Sequence, residues 1–211
     1  MKKASLLLVL LLMAVSAFCQ PWGGPFGLKM GLTYSQLKEV DPDIEPPYGW
    51  VPDEYRYFHS SNQVPISHHE FDEYTLNIVP RLGLTQIHAG GGCYSSADSQ
   101  TYLKRISELA AILDNKYGRH IDKSYWEVPD SGTKYLVPLY YWNEQSNAVL
   151  NNDIAEIILT VATSGLVAMS MYLIEETESD DVMFFGIGIV YTFTNHATYL
   201  ENIEYYMNAA L

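Results

Sequence analysis

Cysteine is scarce in this chain, and its two copies lie far apart. The 211 residues contain only Cys19 and Cys93. A framework of several disulfides is therefore excluded, and if Cys19 is lost with an N-terminal signal, no internal disulfide can form. The fold must then be held by packing, and we expect Cys93 to be buried as a small hydrophobic residue. An exposed Cys93 that pairs between molecules is the alternative.

Basic residues are also few. Lysine and arginine together number 12, against 25 aspartates and glutamates, so the formal net charge is −13. Phosphate backbones and anionic lipid surfaces repel such a chain, so we predict no nucleic-acid partner. A hydrophobic content of 48% with 18% charged residues is typical of a globular protein with a substantial core.

An apolar run near the N-terminus predicts export. Residues 6–15 are almost entirely apolar, follow two lysines and precede small residues, which is the order of a bacterial secretory signal. The run is shorter than the roughly 20 residues that span a bilayer. We therefore expect residues 1–19 to be a signal peptide and the mature chain to start at Gln20, in the periplasm or outside the cell. Lipid anchoring at Cys19 is the alternative, against which the aromatic Phe18 argues.

A second apolar run, residues 154–174, is the only other segment that resembles a membrane span. It is interrupted by Glu156 and by a Ser-Gly pair, and it is rich in β-branched residues. These features favour two strands around a tight turn. We predict no transmembrane segment in the mature chain.

The order of the remaining elements predicts an α+β protein with antiparallel sheets, packed helices and a C-terminal helix. Thr33 and Gln36 form a capping box for a helix over residues 34–40, and the best helical periodicity covers residues 99–117. Asn195 is expected to cap the last helix, in which Leu200, Ile203, Met207 and Ala210 share one side. Predicted strands are residues 71–79, 84–89, 125–128, 134–142, 154–163, 166–174 and 182–194. Two helix-then-sheet units follow from this order, residues 20–95 and 96–211, either separate or as one continuous domain.

One segment carries a family resemblance. Residues 26–32 are expected to form a short strand and turn before the first helix, and residues 27–33 read G-L-K-M-G-L-T. This stretch resembles the opening of small exported bacterial envelope domains, among them the BamE/SmpA-type outer-membrane assembly lipoproteins and the β-lactamase inhibitory proteins. The resemblance implies a helix packed on an antiparallel sheet and gives no catalytic residue. The glycine loop of the BamE type is replaced here by the proline-rich residues 41–52, and the C-terminal part is similar to uncharacterised secreted bacterial proteins.

The densest group of metal-ligand residue types is the run His68, His69 and Glu70. On a strand, His68 and Glu70 project to one face and His69 to the other, so the run cannot form one ligand set without a bulge. We predict no metal site and no cofactor, and His68 and Glu70 remain the weak candidates for a metal.

Two further segments have a structural and a functional interpretation. Cys93 follows three glycines, and with His88 as base it would supply the minimum for acyl transfer, but a flexible turn between a strand and a helix explains the glycines. Residues 175–181 contain five acidic side chains. A solvated hairpin tip explains them, and contact with a cation or a basic partner is the alternative.

Aromatic residues are abundant, with 17 tyrosines and 4 tryptophans. Most lie where strands or helices would bury them, so the candidate binding residues are Tyr48 and Trp50, on the proline-rich loop, and Trp22, near the mature N-terminus. The leading hypothesis is a non-enzymatic, macromolecule-binding protein of the periplasm or envelope, whose partner is an envelope protein or a glycan. The alternatives are an envelope or glycan hydrolase and a carbohydrate-binding protein.

Overall fold

The computed structural model describes residues 23–44, 57–61, 63–95, 99–127, 134–150, 153–162 and 184–202. The helices in these ranges are α1 (Tyr34–Val40), α2 (Ser99–Tyr117) and α3 (Thr194–Glu201). The strands are β1 (Tyr57–Ser61), β2 (Glu73–Val79), β3 (Gly83–Ser95), β4 (Ile121–Asp122), β5 (Tyr125–Glu127), β6 (Tyr135–Val137), β7 (Leu139–Trp142), β8 (Ile154–Ala162) and β9 (Phe184–Phe193). This composition confirms the predicted α+β class. None of the helices in the described ranges has the length and apolar content to cross a membrane.

One antiparallel sheet joins strands from both ends of the chain. Its order is β1-β2-β3-β9-β8-β7-β4, and β5 and β6 form a separate two-stranded hairpin. The central contact pairs β3 with β9, from Gln86 opposite Thr192 to Ser95 opposite Phe184. The segments predicted as two units, residues 20–95 and 96–211, thus contribute neighbouring strands to one sheet.

The long helix α2 buries the face that its periodicity predicts. Its buried residues are Tyr102, Ile106, Leu109, Ala110, Leu113 and Tyr117. They share one core cluster with Leu76 and Ile87 from the centre of the sheet and with Trp142 from β7. The helix therefore covers one face of the sheet.

The capping box of α1 is confirmed. The backbone N–H of Gln36 donates to Thr33 Oγ1 at 3.3 Å, and the backbone N–H of Thr33 donates to Gln36 Oε1 at 3.0 Å. The helix ends at the buried Asp41, whose Oδ2 accepts a hydrogen bond of 2.7 Å from Ser61 at the end of β1. This contact ties the first helix to the edge of the sheet.

The three glycines at positions 90–92 do not form a turn, contrary to our expectation. They lie inside β3, where Gly90 pairs with Gly188 of β9. A Cβ on Gly91 would lie 2.2 Å from the carbonyl oxygen of Glu70, which belongs to the loop before β2. Glycine is required there because two backbones approach closely, with a bulge following at Gly92, whose φ is 73°.

Of the short strand and turn predicted over residues 26–32, the strand is wrong and the turn is present at residues 30–31. Pro25–Gly27 form a 3-10 turn, and Phe26, Gly27 and Gly31 have φ values of 53°, 77° and 80°. These left-handed conformations interrupt an extended chain. Two backbone hydrogen bonds join this segment to Leu84. The N–H of Gly31 donates to Leu84 O at 3.0 Å, and the N–H of Leu84 donates to Leu32 O at 2.8 Å.

The last helix differs from its prediction in its cap. The Asn195 side chain does not cap it but donates to the carbonyl oxygens of Leu82 and Leu84, at 3.2 and 3.1 Å. Leu200 is 58% exposed, whereas His196 and Tyr199 are buried. The rest of this predicted helix, the strand at 166–174 and the acidic run at 175–181 lie outside the described residues.

The buried face of α2 can be tested with one substitution and a control on the same helix. Leu109 is 8% exposed and Ile112 is 56% exposed. We expect Leu109→Asp to lower the free energy of unfolding by about 3 kcal/mol or more, because it places an unpaired charge in the core. Ile112→Asp should change it by less than about 0.5 kcal/mol. Equal effects in urea denaturation would show that the face is wrongly assigned.

Candidate functional site

The three aromatic residues selected from the sequence, Trp22, Tyr48 and Trp50, lie outside the described residues. Their role in binding stays a prediction. The signal peptide over residues 1–19 and lipid attachment at Cys19 lie outside these residues as well.

His68, His69 and Glu70 lie in the loop before β2 and not on a strand, so strand alternation does not apply to them. The His68 and His69 rings stack at 4.5 Å, and His69 Nε2 lies 3.2 Å from Glu70 Oε1. The same Glu70 oxygen lies 3.8 Å from Arg105 Nε on α2. Burial lowers the pKa of His68, and the neighbouring His69 lowers it further. The group therefore ties this loop to α2, and within the described ranges no three His, Cys, Asp or Glu side chains are placed to hold a metal ion.

His88 and Cys93 both lie on β3. His88 Nε2 is 3.3 Å from Asn77 Nδ2, which also donates to Gln86 Oε1 at 2.6 Å. Gln86 in turn donates to Thr192 on β9 at 3.1 Å. His88 is thus part of a polar ladder across three strands, and the Cys93 side chain lies outside the described part of the structure.

The most exposed aromatic side chains of the described residues lie on the β5–β6 hairpin. Tyr125 is 48% exposed and Trp126 is 58% exposed. Together with Tyr140 and Tyr141 on β7, they form what we call the aromatic edge. The sequence places Tyr125 and Trp126 in a predicted strand, where aromatic residues are expected to form core or half-buried sheet surface.

The outer side of the aromatic edge centres on Tyr141. Lys123 Nζ lies 5.0 Å from the centre of its ring. Burial raises the pKa of Tyr141, and the Glu156 carboxylate and the Tyr125 hydroxyl raise it further. Glu156 Oε2 accepts a hydrogen bond of 3.1 Å from Asn143. An ammonium group, a carboxylate and an amide therefore lie around Tyr141, and Tyr125 is near enough to affect its pKa.

Trp126 lies on the other side of the hairpin. It pairs with Leu136 on β6, and neighbouring residues of a strand project to opposite faces, so Trp126 and Tyr125 point in opposite directions. Lys134 Nζ lies 4.8 Å from the centre of the Trp126 ring. A cation held over an exposed indole is worth about 0.5–1 kcal/mol, so the lysine helps to orient the ring.

Asp114 joins the end of α2 to β7. Its Oδ1 accepts hydrogen bonds from the backbone N–H and from Nδ1 of His120, at 3.0 and 2.9 Å, and from Trp142 Nε1, at 3.1 Å. The His120 ring packs against Tyr140, with centroids 4.5 Å apart. Because a carboxylate only accepts, the ring donates from Nδ1, and Nε2 of the neutral ring is the acceptor.

Asp122 and Ser124 fix the chain between β4 and β5. Asp122 Oδ1 accepts from both the backbone N–H and the hydroxyl of Ser124, and these two hydrogen bonds lower the pKa of Asp122. The Ser124 oxygen accepts from the backbone N–H of Leu139 at 3.1 Å. Burial raises the pKa of Tyr140, and the nearby Asp122 charge raises it further. The start of the hairpin is therefore anchored to β7.

Comparisons with protein-family models, with curated proteins and with solved structures gave no match to this chain. The resemblance of residues 27–33 to exported envelope domains accordingly stays a prediction.

The hydrogen bonds of Asp122 predict a measurable pH effect. Its folded-state pKa lies below the ordinary value of 3.8, so its ionised form stabilises the fold above pH 3.8. This stabilisation is lost as the pH falls through the folded-state pKa. Ser124→Ala removes the hydroxyl bond, and we expect NMR titration to show the Asp122 pKa moving up toward 3.8. An unchanged titration of Asp122 would contradict this assignment.

Proposed function

We propose that this protein is an exported bacterial binding module of the periplasm or envelope, which contacts a macromolecule through the aromatic edge. The observation that carries this proposal is the exposure of two consecutive large aromatic side chains, Tyr125 and Trp126, on a two-stranded hairpin. Burial of each would contribute to stability, so their exposure calls for another explanation. The resemblance of residues 27–33 to envelope domains agrees with an exported role.

The other exposed apolar side chains strengthen the choice of this hairpin. The large apolar side chains exposed in the described ranges are Ile66, Ile112, Tyr125, Trp126, Val149 and Leu200. Only Tyr125 and Trp126 among them are adjacent in sequence. Tryptophan and tyrosine are the residues that most often dominate binding energy at interfaces. The net charge of −13 argues for a partner other than a nucleic acid.

Co-sedimentation with isolated bacterial envelopes tests the proposal. We expect the mature chain to sediment with envelopes and Trp126→Ala to weaken this binding by about tenfold or more, as at a hot-spot residue. Leu200→Ala is the matched control, because Leu200 and Trp126 are both 58% exposed but Leu200 lies on α3. Failure to sediment, or equal sedimentation of both variants, would contradict the proposal.

A hydrolase of the envelope or of glycans is the second candidate, and the pair of Asp114 and His120 favours it. A histidine whose Nδ1 is held by a carboxylate presents Nε2 as a base, which is the arrangement of a general base with its orienting group. If this candidate is correct, the chain should release reducing ends from peptidoglycan, and His120→Gln should abolish this activity. His69→Gln, in the loop before β2, is the control. Absence of activity in the unaltered chain would remove this candidate.

A further inference from the structure

We infer that the outer side of the aromatic edge binds a neutral glycan chain. We call this place the outer-edge site, and its residues are Lys123, Tyr125, Tyr141, Asn143 and Glu156. The inference rests on the proposed function, because it names the chemical class of the macromolecule that the aromatic edge would bind.

Strand register places Tyr141 and Glu156 on the same face of the sheet. Tyr141 is paired with Ile121 on β4 and with Ile158 on β8. The next residue, Trp142, is fully buried in the core on the α2 side, so Tyr141 projects from the opposite face. Glu156 lies two residues before Ile158 on β8 and therefore shares the face of Tyr141.

Hydrogen bonds with neighbours hold the polar groups of the site in place. The Asn143 side chain donates to Glu156 at 3.1 Å while its Oδ1 accepts from Gln145 N at 3.0 Å, so the amide orientation is fixed. The backbone of Lys123 is held by a hydrogen bond from its N–H to Leu139 O, at 2.8 Å. The ammonium group of Lys123 lies over the Tyr141 ring. Side chains positioned in this way before a ligand arrives are characteristic of a binding site.

The chemistry of these groups fits a sugar. A pyranose ring has apolar C–H faces and hydroxyl groups at its rim. Tyrosine rings can cover the apolar faces, and charged and amide groups can bind the hydroxyl groups. A few fixed polar groups beside aromatic surface are typical of small-ligand sites. Glu156 accepts from hydroxyls, and Lys123 donates to them.

Charge and area decide which ligand is favoured. The net charge of −13 and the carboxylate within the site repel an acidic polysaccharide. A stable protein interface buries roughly 1,000 Å² or more, whereas this site offers one exposed and one half-buried tyrosine ring. A narrow, uncharged chain matches this surface better than an acidic polymer or a protein.

Isothermal titration calorimetry of the mature chain tests the inference. The probes are hexasaccharides of glucose, mannose and N-acetylglucosamine, with an oligogalacturonate as the acidic comparison. We expect at least one neutral probe to bind with a Kd of about 1 mM or tighter. Tyr125→Ala and Glu156→Gln should each weaken it by about tenfold or more. Glu201→Gln, which makes the same change at the exposed end of α3, should bind as the unaltered chain does.

Three results would overturn the inference. They are the absence of binding to every neutral probe, equal binding by all variants, and an oligogalacturonate that binds as tightly as the neutral probes. Because Tyr125→Ala could disturb the hairpin, Glu156→Gln and the melting temperature of each variant provide independent readings. If no neutral glycan binds while Trp126→Ala still weakens envelope sedimentation, the inference fails and the proposed function stands with another class of partner.

Discussion

The pairing of β3 with β9 is the contact on which the rest of this structure depends. It joins residues separated by about half of the chain, with Gln86 opposite Thr192, and it links β1 and β2 to β8 and β7. We call this pairing of β3 with β9 the seam, and two glycines, Gly90 and Gly188, lie opposite each other in its middle. The seam brings together the strands on which α2 packs, and it leads through β8 to the aromatic edge at the far side of the sheet.

Local signals in the sequence were sufficient for several elements. The capping box of Thr33 and Gln36 located α1, and the spacing of apolar residues located α2 with its buried face, because both depend on contacts within one or two helical turns. The alternation of Tyr74, Leu76 and Ile78 located β2, and the β-branched residues of the run from Ile154 located β8. Pro138 splits the predicted strand at 134–142 into β6 and β7, and its carbonyl accepts from Thr160. Proline has no N–H to donate to a ladder, so this break was visible in the sequence.

Long-range contacts decided the features that the sequence did not predict. Position 91 requires glycine because a Cβ there would clash with the carbonyl oxygen of Glu70. The Asn195 side chain donates hydrogen bonds to two carbonyl oxygens that lie more than a hundred residues earlier in the chain. The exposure of Trp126 could not be predicted from its type, since an indole in a strand is usually covered. One signal was available, because the sequence P-D-S-G, a composition that favours a turn, follows Trp126 after two residues. A short two-stranded hairpin has little surface of its own to bury an indole.

Native-state hydrogen exchange at low denaturant tests the central role of the β3–β9 seam most directly. If the seam holds the sheet together, the hydrogen-bonded amides of β3 and β9 exchange only through global unfolding, with one common free energy. A lower common free energy for β1 to β3 alone, while β8 and β9 stay protected, would show that the N-terminal strands open as a separate unit. That result would contradict the account of a single sheet built on this pairing.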